Sequence, residues 1–430
     1  MNKRLHRLIG LVLMIALLPL PGCSNVSRSE ENKPGSIKEI TLWLFPGSGL
    51  EPLIDIYEQE HPDIRVHIHT SSYPELSNKL QTTLASGNGV PDVALVEISF
   101  MERFKELSGS FENLLNYDAG EREGEFLSWK WQQAITKDGQ FLLGLPTDIG
   151  PIAMAYRRDF FEQAGLPSEP SEVTKNMSSW EDFLDTADQL QRKTGKHMID
   201  NLDMLYRVIL GQAEEQYYDK DNGELIVHRN PDVYRAWSAV MKAKEKGLSA
   251  SLPMFSPEWS RGLQQGEFAV AFAPSWIIEI LKKNAPAAGG KWDMTFIPQI
   301  AGNYGGSFLT LPKGGRHHRE SYDLINWLTQ AEQQVQLFKS NGNFPSMPEL
   351  FSDPVIMEHT DPFFNDAPTG RIYSQIAGQI KPTYEGSDQF LIAKVMFDVL
   401  QKVEQDVIGT EEAWDIAMQR IEIELEQELP

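Results

Sequence analysis

From residue 37 onward, hydrophobic positions switch between two periods. Ile37 to Phe45, IKEITLWLF, is a short apolar, β-rich run that ends at Pro46-Gly47. Leu50, Leu53, Ile54 and Tyr57 then recur at helical spacing, and Pro62 closes that helix. Ile64, Val66 and Ile68 alternate with Arg65, His67 and His69, which predicts a strand. Leu76, Leu80 and Leu84 form a second helical stripe stopped by Gly87, and Val93 to Ile98 is a third apolar strand. The order is β-α-β-α-β. Right-handed crossovers of this kind give a parallel sheet covered by helices. Ligands in such folds sit outside the carboxyl ends of the strands. Here those ends are Phe45-Pro46-Gly47, Thr70 to Tyr73 and Glu97-Ile98.

The pattern changes at Leu145. LPTDIGPIAMAYRRD carries a Pro and a Gly-Pro before an apolar run, the signature of a passage to a second lobe. Ser178-Ser179-Trp180-Glu181 is a capping box that opens a helix with Phe183, Leu184, Ala187 and Leu190 inward. Asn222-Gly223 predicts a tight turn. AVAFAP, residues 269–274, is a strand that runs into Ser275-Trp276. MTFIPQI, the pair Gly305-Gly306 and FLTLP read as a second strand-loop-strand passage. Tyr322, Ile325, Trp327, Leu328, Val335 and Phe338 belong to one further helix. Trp414, Ala417, Ile421 and Leu425 stripe a C-terminal one.

The N-terminus has a different character. Lys3, Arg4 and Arg7 precede an apolar run, Leu8 to Leu20, that is shorter than the roughly 20 residues a bilayer needs. A basic head and a short apolar middle describe an export signal. Cys23 is the chain's only cysteine and stands at the end of that stretch. Residues 24–36 are polar, with Pro, Gly and Ser, and read as a tether. The formal charge is −22, and removing the signal's +3 leaves about −25. That excess of acid excludes nucleic acid as a partner, because such affinity comes from phosphate neutralisation. A single cysteine cannot close a disulfide within the chain or build a zinc site of several thiolates.

Catalytic signatures are missing: there is no G-x-S-x-G, H-E-x-x-H or G-x-x-x-x-G-K-[ST]. No cofactor or metal is called for. Asp219-x-Asp221-x-Gly223 imitates a calcium loop, but glycine occupies the third ligand position. His67 and His69 share a strand face without a third ligand. Aromatic residues carry more information. Trp43 is read as core. Trp276 follows a proline at a strand-to-helix junction and Tyr304 precedes a glycine pair, and both are read as ligand-facing. Flat rings hold the apolar face of a sugar, while carboxylates and amides hold its polar rim.

Leu20-Pro21-Gly22-Cys23 resembles the lipobox of bacterial lipoproteins, in which the chain is cut before a cysteine that then carries lipid. The body resembles the extracellular solute-binding proteins of bacterial ABC importers, in the carbohydrate-binding family that includes maltose-binding protein. ITLWLF, EPLIDIYEQEHPDIRVHI, LQTTLASGNGVPDVALVE, LPTDIGPIAMAYRRDFFEQAGL, GEFAVAFAPSW and NYGGSFLTLP carry the resemblance, in this order. It implies an α/β two-lobed, periplasmic-binding-protein-like clamp, each lobe a sheet flanked by helices, with about three hinge crossings near 147–150, 295–303 and 345–360. The expected division is a signal at 1–22, an anchored tether at 23–36, one lobe from 37–147 plus 300–350, and the other from 148–299 plus 351–430. The resemblance places Phe45, Ser48, Glu97, Asp148, Gly150, Trp276, Tyr304, Gly305 and Gly306 around the ligand. Tyr73 joins them from its place at a strand end. The chain departs from the family pattern at Phe45 and at Ser99.

The implied function is capture of a mono- or oligosaccharide without chemistry. The implied partners are the transmembrane subunits of an ABC permease, and a monomer would work from the extracytoplasmic face of the bacterial cell membrane, held there by Cys23 alone. Two alternatives stay open. One is a surface lipoprotein that cleaves glycosides with Glu97 and Asp148. The other is the same clamp with a peptide, polyamine or other solute in its cleft.

Overall fold

A computed structural model describes residues 37–428. The export signal, Cys23 and the tether lie outside the described residues. The strands are β1 (Lys38–Leu44), β2 (Ile64–Thr70), β3 (Val93–Glu97), β4 (Gly144–Pro146), β5 (Ile152–Arg157), β6 (Val270–Pro274), β7 (Trp292–Phe296) and β8 (Ser307–Thr310). They form a five-stranded sheet in the order β2-β1-β3-β8-β4 and a three-stranded sheet in the order β6-β5-β7. The result is an α/β clamp of two lobes.

The first β-α-β-α-β unit follows the hydrophobic pattern. β1 pairs in parallel with β2 and with β3, with Leu42 opposite Val93. Ile40, Leu42 and Leu44 are fully buried, and Trp43 is only 4% exposed. A central parallel strand is covered on both faces, so it reads as a continuous apolar run. Trp43 is therefore core, with the Lys79 ammonium 4.4 Å over its ring. β2 is an edge strand, and its second half, from His67 to Thr70, is exposed. Leu53, Ile54 and Tyr57 of the helix Glu51–Glu60, and Leu76 and Leu80 of the helix Tyr73–Ser86, bury one stripe each. Gly87 ends the latter with φ of 67°, a conformation costly for residues with a Cβ.

The chain leaves this sheet after β4 and returns to it as β8, which inserts antiparallel between β3 and β4. The smaller sheet is antiparallel, with β5 in the middle. Its side chains alternate between two cores. Ile152, Met154 and Tyr156 enter one, while Ala153 and Ala155 face the other.

Two local expectations are corrected. The capping box lies one residue later than the Ser178–Glu181 window. Ser179 Oγ accepts from Asp182 N at 3.1 Å, and the Asp182 carboxylate accepts from Ser179 N at 3.1 Å. The single helix expected through Tyr322 to Phe338 is two, His318–Leu328 and Ala331–Asn341. The break is capped from outside. Arg122 donates to the backbone carbonyls of Thr329 at 3.0 Å and Asn326 at 3.2 Å, satisfying groups a continuous helix would have used internally. Asp219 forms a turn, its carboxylate accepting from the backbone N–H groups of Asp221 and Asn222, with Gly223 at φ of 74°. No helix among the described residues is long and apolar enough to cross a membrane.

Candidate ligand-binding site

Three chain segments run side by side between the lobes. Ile149 N donates to Phe344 O at 2.9 Å, Tyr304 N to Gly150 O at 2.8 Å, and Ile152 N to Gly302 O at 3.0 Å. Asn303 Oδ1 accepts from Gly150 N at 2.9 Å. The first two segments coincide with the Gly-Pro and Gly-Gly stretches. The third is at Phe344, just before the span expected for it. Glycine matters at Gly150 because a Cβ there would lie 1.9 Å from the Tyr304 carbonyl oxygen. Gly150 therefore does not line the cleft. It lets two crossings touch behind it.

Against this seam two cavities open between the lobes, of about 490 and 480 Å³. They share Tyr73, Glu97, Phe255, Tyr304 and Gly305. The first, the tryptophan chamber, is also walled by Phe45, Ser48, Asp148, Trp276 and Gly306. The second, the arginine chamber, holds Asp203, Arg207, Glu385 and Phe390. Nine of the ten residues expected around the ligand thus lie in one chamber, and Gly150 supports two of them.

Trp276 lies where β6 passes into a helical turn. Its Nε1 donates to Tyr304 O at 2.9 Å, which fixes the indole against the second crossing. The Tyr304 ring sits 5.7 Å from it at 64°. Gly305 and Gly306 take φ of 92° and 104°, and a Cβ on Gly306 would meet Lys130 Nζ at 2.7 Å and Asp148 O at 2.9 Å. Phe45, at the end of β1, meets Tyr73 edge-on at 6.2 Å.

The two carboxylates differ. Asp148 is buried and committed: Oδ1 accepts from Thr147 Oγ1 at 2.7 Å and Ser307 N at 3.0 Å, and Oδ2 from Asn343 Nδ2 at 2.9 Å. It ties the first crossing to β8 and to the third. Glu97 accepts from the N–H and hydroxyl of Ser99 and faces both chambers. Burial pushes its pKa up against those bonds and against Lys130 and Arg207.

Pattern reading missed the arginine chamber. Arg207 lies in the helix Leu202–Leu210, where it donates to Asp203 at 2.7 Å and lies 5.4 Å over the Tyr304 ring. Its signal was available: a cation four residues after an acid, inside an apolar helix. Lys130 is fully buried, has no hydrogen-bond partner for Nζ, and lies 3.9 Å over Phe308. Burial lowers its amine to about 8 although Asp148, Glu97 and Glu385 oppose the shift. Phe255 gave no signal, because it stands in a loop without periodicity.

A cleft between two α/β lobes, floored by three adjacent crossings and walled by aromatic rings, defines a solute-binding clamp. Residues 52–364 match the family of bacterial extracellular solute-binding proteins, and the chain belongs to it. It is 28% identical to a lactose-binding protein of Rhizobium radiobacter over 305 residues, 67% of this chain and 69% of that protein. It is 24% identical to an arabinooligosaccharide-binding protein of Bacillus subtilis (strain 168) over 418 residues, 91% and 94% of the two chains. A crystal structure of an extracellular solute-binding protein family 1 member superposes with a TM-score of 0.80 at 31% identity, covering 89% of this chain and 98% of that one.

Proposed function

We propose that the chain is the extracytoplasmic substrate-binding component of an ABC importer, held to the membrane by lipid on Cys23, which captures a sugar or oligosaccharide between its lobes and hands it to a permease. The observation that carries this reading is the tryptophan chamber. Trp276 is locked in place by its own hydrogen bond to Tyr304, with Phe45, Tyr73 and Tyr304 around it and Glu97 facing the space they leave. Such a set offers flat apolar faces and a carboxylate acceptor, which is what a polyhydroxy ring needs. The relatives named above for lactose and for arabinooligosaccharides both take glycosides.

The ligand leaves unaltered in this reading. Cleavage by Glu97 and Asp148 would need two available carboxyl groups, and Asp148 already spends both oxygens on protein donors. The lobes, divided at 147 and near 300 and 350, would close over the ligand by the difference between its contacts in the closed and open forms. Calorimetric titration of a saccharide panel, followed by tryptophan fluorescence, is the test. Heat and quenching with recovery of intact saccharide are expected; a panel that gives neither signal removes the sugar assignment, and cleaved product removes the non-enzymatic one.

A further inference from the structure

Phe255 is out of place by three independent measures. It has φ of +66°, in the left-handed region where a bulky side chain is an outlier. The residue is 56% exposed, although its neighbour Trp259 is buried. It also lines both chambers, at the point where they meet. The strained backbone is imposed from both sides. Ala250 N donates to Ile199 O at 2.9 Å, Leu252 N to Asp200 O at 2.8 Å, and Asn201 Nδ2 to Leu252 O at 3.0 Å. On the other side Ser256 caps the next helix, accepting from Trp259 N at 3.0 Å. A fold that holds a large ring in water on a strained backbone gains nothing for its own stability there, and such strain collects at ligand clamps.

The ring's neighbours define its use. Its centroid lies 6.3 Å from that of Trp276 with the planes tilted by 37°, so the two rings form a bent wall rather than a sandwich. Tyr73, Glu97 and Tyr304 line the same waist. A saccharide short enough to rest on Trp276 stays in the tryptophan chamber. A longer one that extends to Arg207 crosses the waist that Phe255 lines together with Tyr73, Glu97, Tyr304 and Gly305.

We infer that Phe255 is a length-selecting residue, a second aromatic platform that holds the sugar unit crossing the waist and so favours oligosaccharides long enough to occupy both chambers. This rests on the saccharide reading above. The test is calorimetry on the full chain with arabinooligosaccharides from monomer to pentamer, and with lactose and its longer galactosyl homologues. Wild-type affinity is expected to climb once the ligand is long enough to cross the waist. Phe255→Ala should remove that climb, a loss of about tenfold for the longest members, which is the size expected from withdrawing part of an aromatic contact. The shortest saccharide that binds should keep its affinity within about twofold. Phe255→Tyr should restore the climb, and Phe255→Ala should melt within about 2 °C of the wild type, because more than half of the residue is already in water. Equal weakening at every length, an unchanged climb in Phe255→Ala, or a wild type without a climb overturns the inference while leaving sugar binding intact. A wild type that binds no member of either series overturns both.

Discussion

The lobes meet in two places, and the two are built differently. At the crossings the seam is backbone: Ile149 on Phe344, Gly150 on Tyr304 and Ile152 on Gly302, all hydrogen-bonded main chain. Beside the arginine chamber the seam is made of side chains. Phe390, in the first turn of the helix Gln389–Glu404, packs at 4.7 Å from Phe100 and 5.9 Å from Tyr73. Arg103 donates to Asp388 at 2.9 Å, and Ser387 donates to Glu106. Main-chain pairing holds whatever the side chains do, whereas side-chain contacts between bodies part and re-form on the timescale of domain closure. The first seam is therefore expected to act as the hinge and the second as a clasp.

The largest effect is expected where the backbone seam is forced apart. Gly150→Ala puts a methyl group against a main-chain oxygen, which no rotamer relieves. A loss of about 3 kcal/mol or more is expected, roughly 4 °C in Tm for a body of this size, together with loss of saccharide affinity. Gly370→Ala is the matched control. Its Cβ would lie 1.7 Å from the Ile356 carbonyl oxygen, in a helix away from the cleft. It should cost similar stability, read by thermal melts, and leave the affinity of the folded fraction unchanged. If Gly370→Ala weakens binding as much as Gly150→Ala does, the seam has no special place in the cleft.

Trp276→Ala is next. The indole is anchored to the backbone seam but spends its face on the chamber, so its loss should fall on binding, by about 100-fold or some 3 kcal/mol. Calorimetry with the best saccharide of the panel checks it, and an affinity within twofold of wild type would take Trp276 out of the site. Phe390→Ala, at the clasp, should act more weakly. It removes contacts made only when the lobes are together, so it weakens ligand binding by about tenfold through the closed form it no longer supports. Small-angle scattering of the ligand-free protein should show a larger radius of gyration. An unchanged radius and affinity would mean the clasp contributes nothing to closure.

These two seams were unequally legible in the sequence. The backbone seam announces itself through Gly-Pro and Gly-Gly beside strands, because glycine there answers a steric demand of the main chain. The residues gathered around it, Trp276, Tyr304 and Asp148 among them, came with it. The side-chain seam left no such mark. Phe390, Phe100 and Tyr73 sit at ordinary apolar positions of three separate elements, and only their packing across the lobes distinguishes them. Phe255 was hidden because its loop has no periodicity, and Asp148 was visible as a residue but not as a tie between three segments. Pattern reports what a residue does for its own element and is silent on partners remote in sequence. The break at Thr329 belongs here too, since its cap is Arg122, about two hundred residues away.

The smallest effect separates the seams by pH. Glu385 stands next to the clasp, on a segment tied to the lobe of the three-stranded sheet by Tyr384 N donating to Glu214 O at 3.1 Å, and it lines the arginine chamber with Glu97. Burial, and then the charge of Glu97, push its carboxyl up to about 8, while Lys130 and Arg207 pull the other way. A carboxyl whose pKa is raised on folding holds its proton in the folded state, so its contribution is complete below the ordinary value near 4.5 and is lost as pH rises through about 8. Glu385→Gln mimics the protonated form. It should match the wild type at pH 5 and melt about 1 °C higher at pH 8, the shift expected from about 1 kcal/mol in a body of this size. The same substitution should leave the backbone seam untouched, so Gly150→Ala should lose as much stability in the Glu385→Gln background as alone. A melting difference that stays flat between pH 5 and pH 8 would show that the Glu385 carboxylate is as well accommodated in the folded chain as in water. The clasp would then be a purely apolar and ion-paired contact with no proton in it.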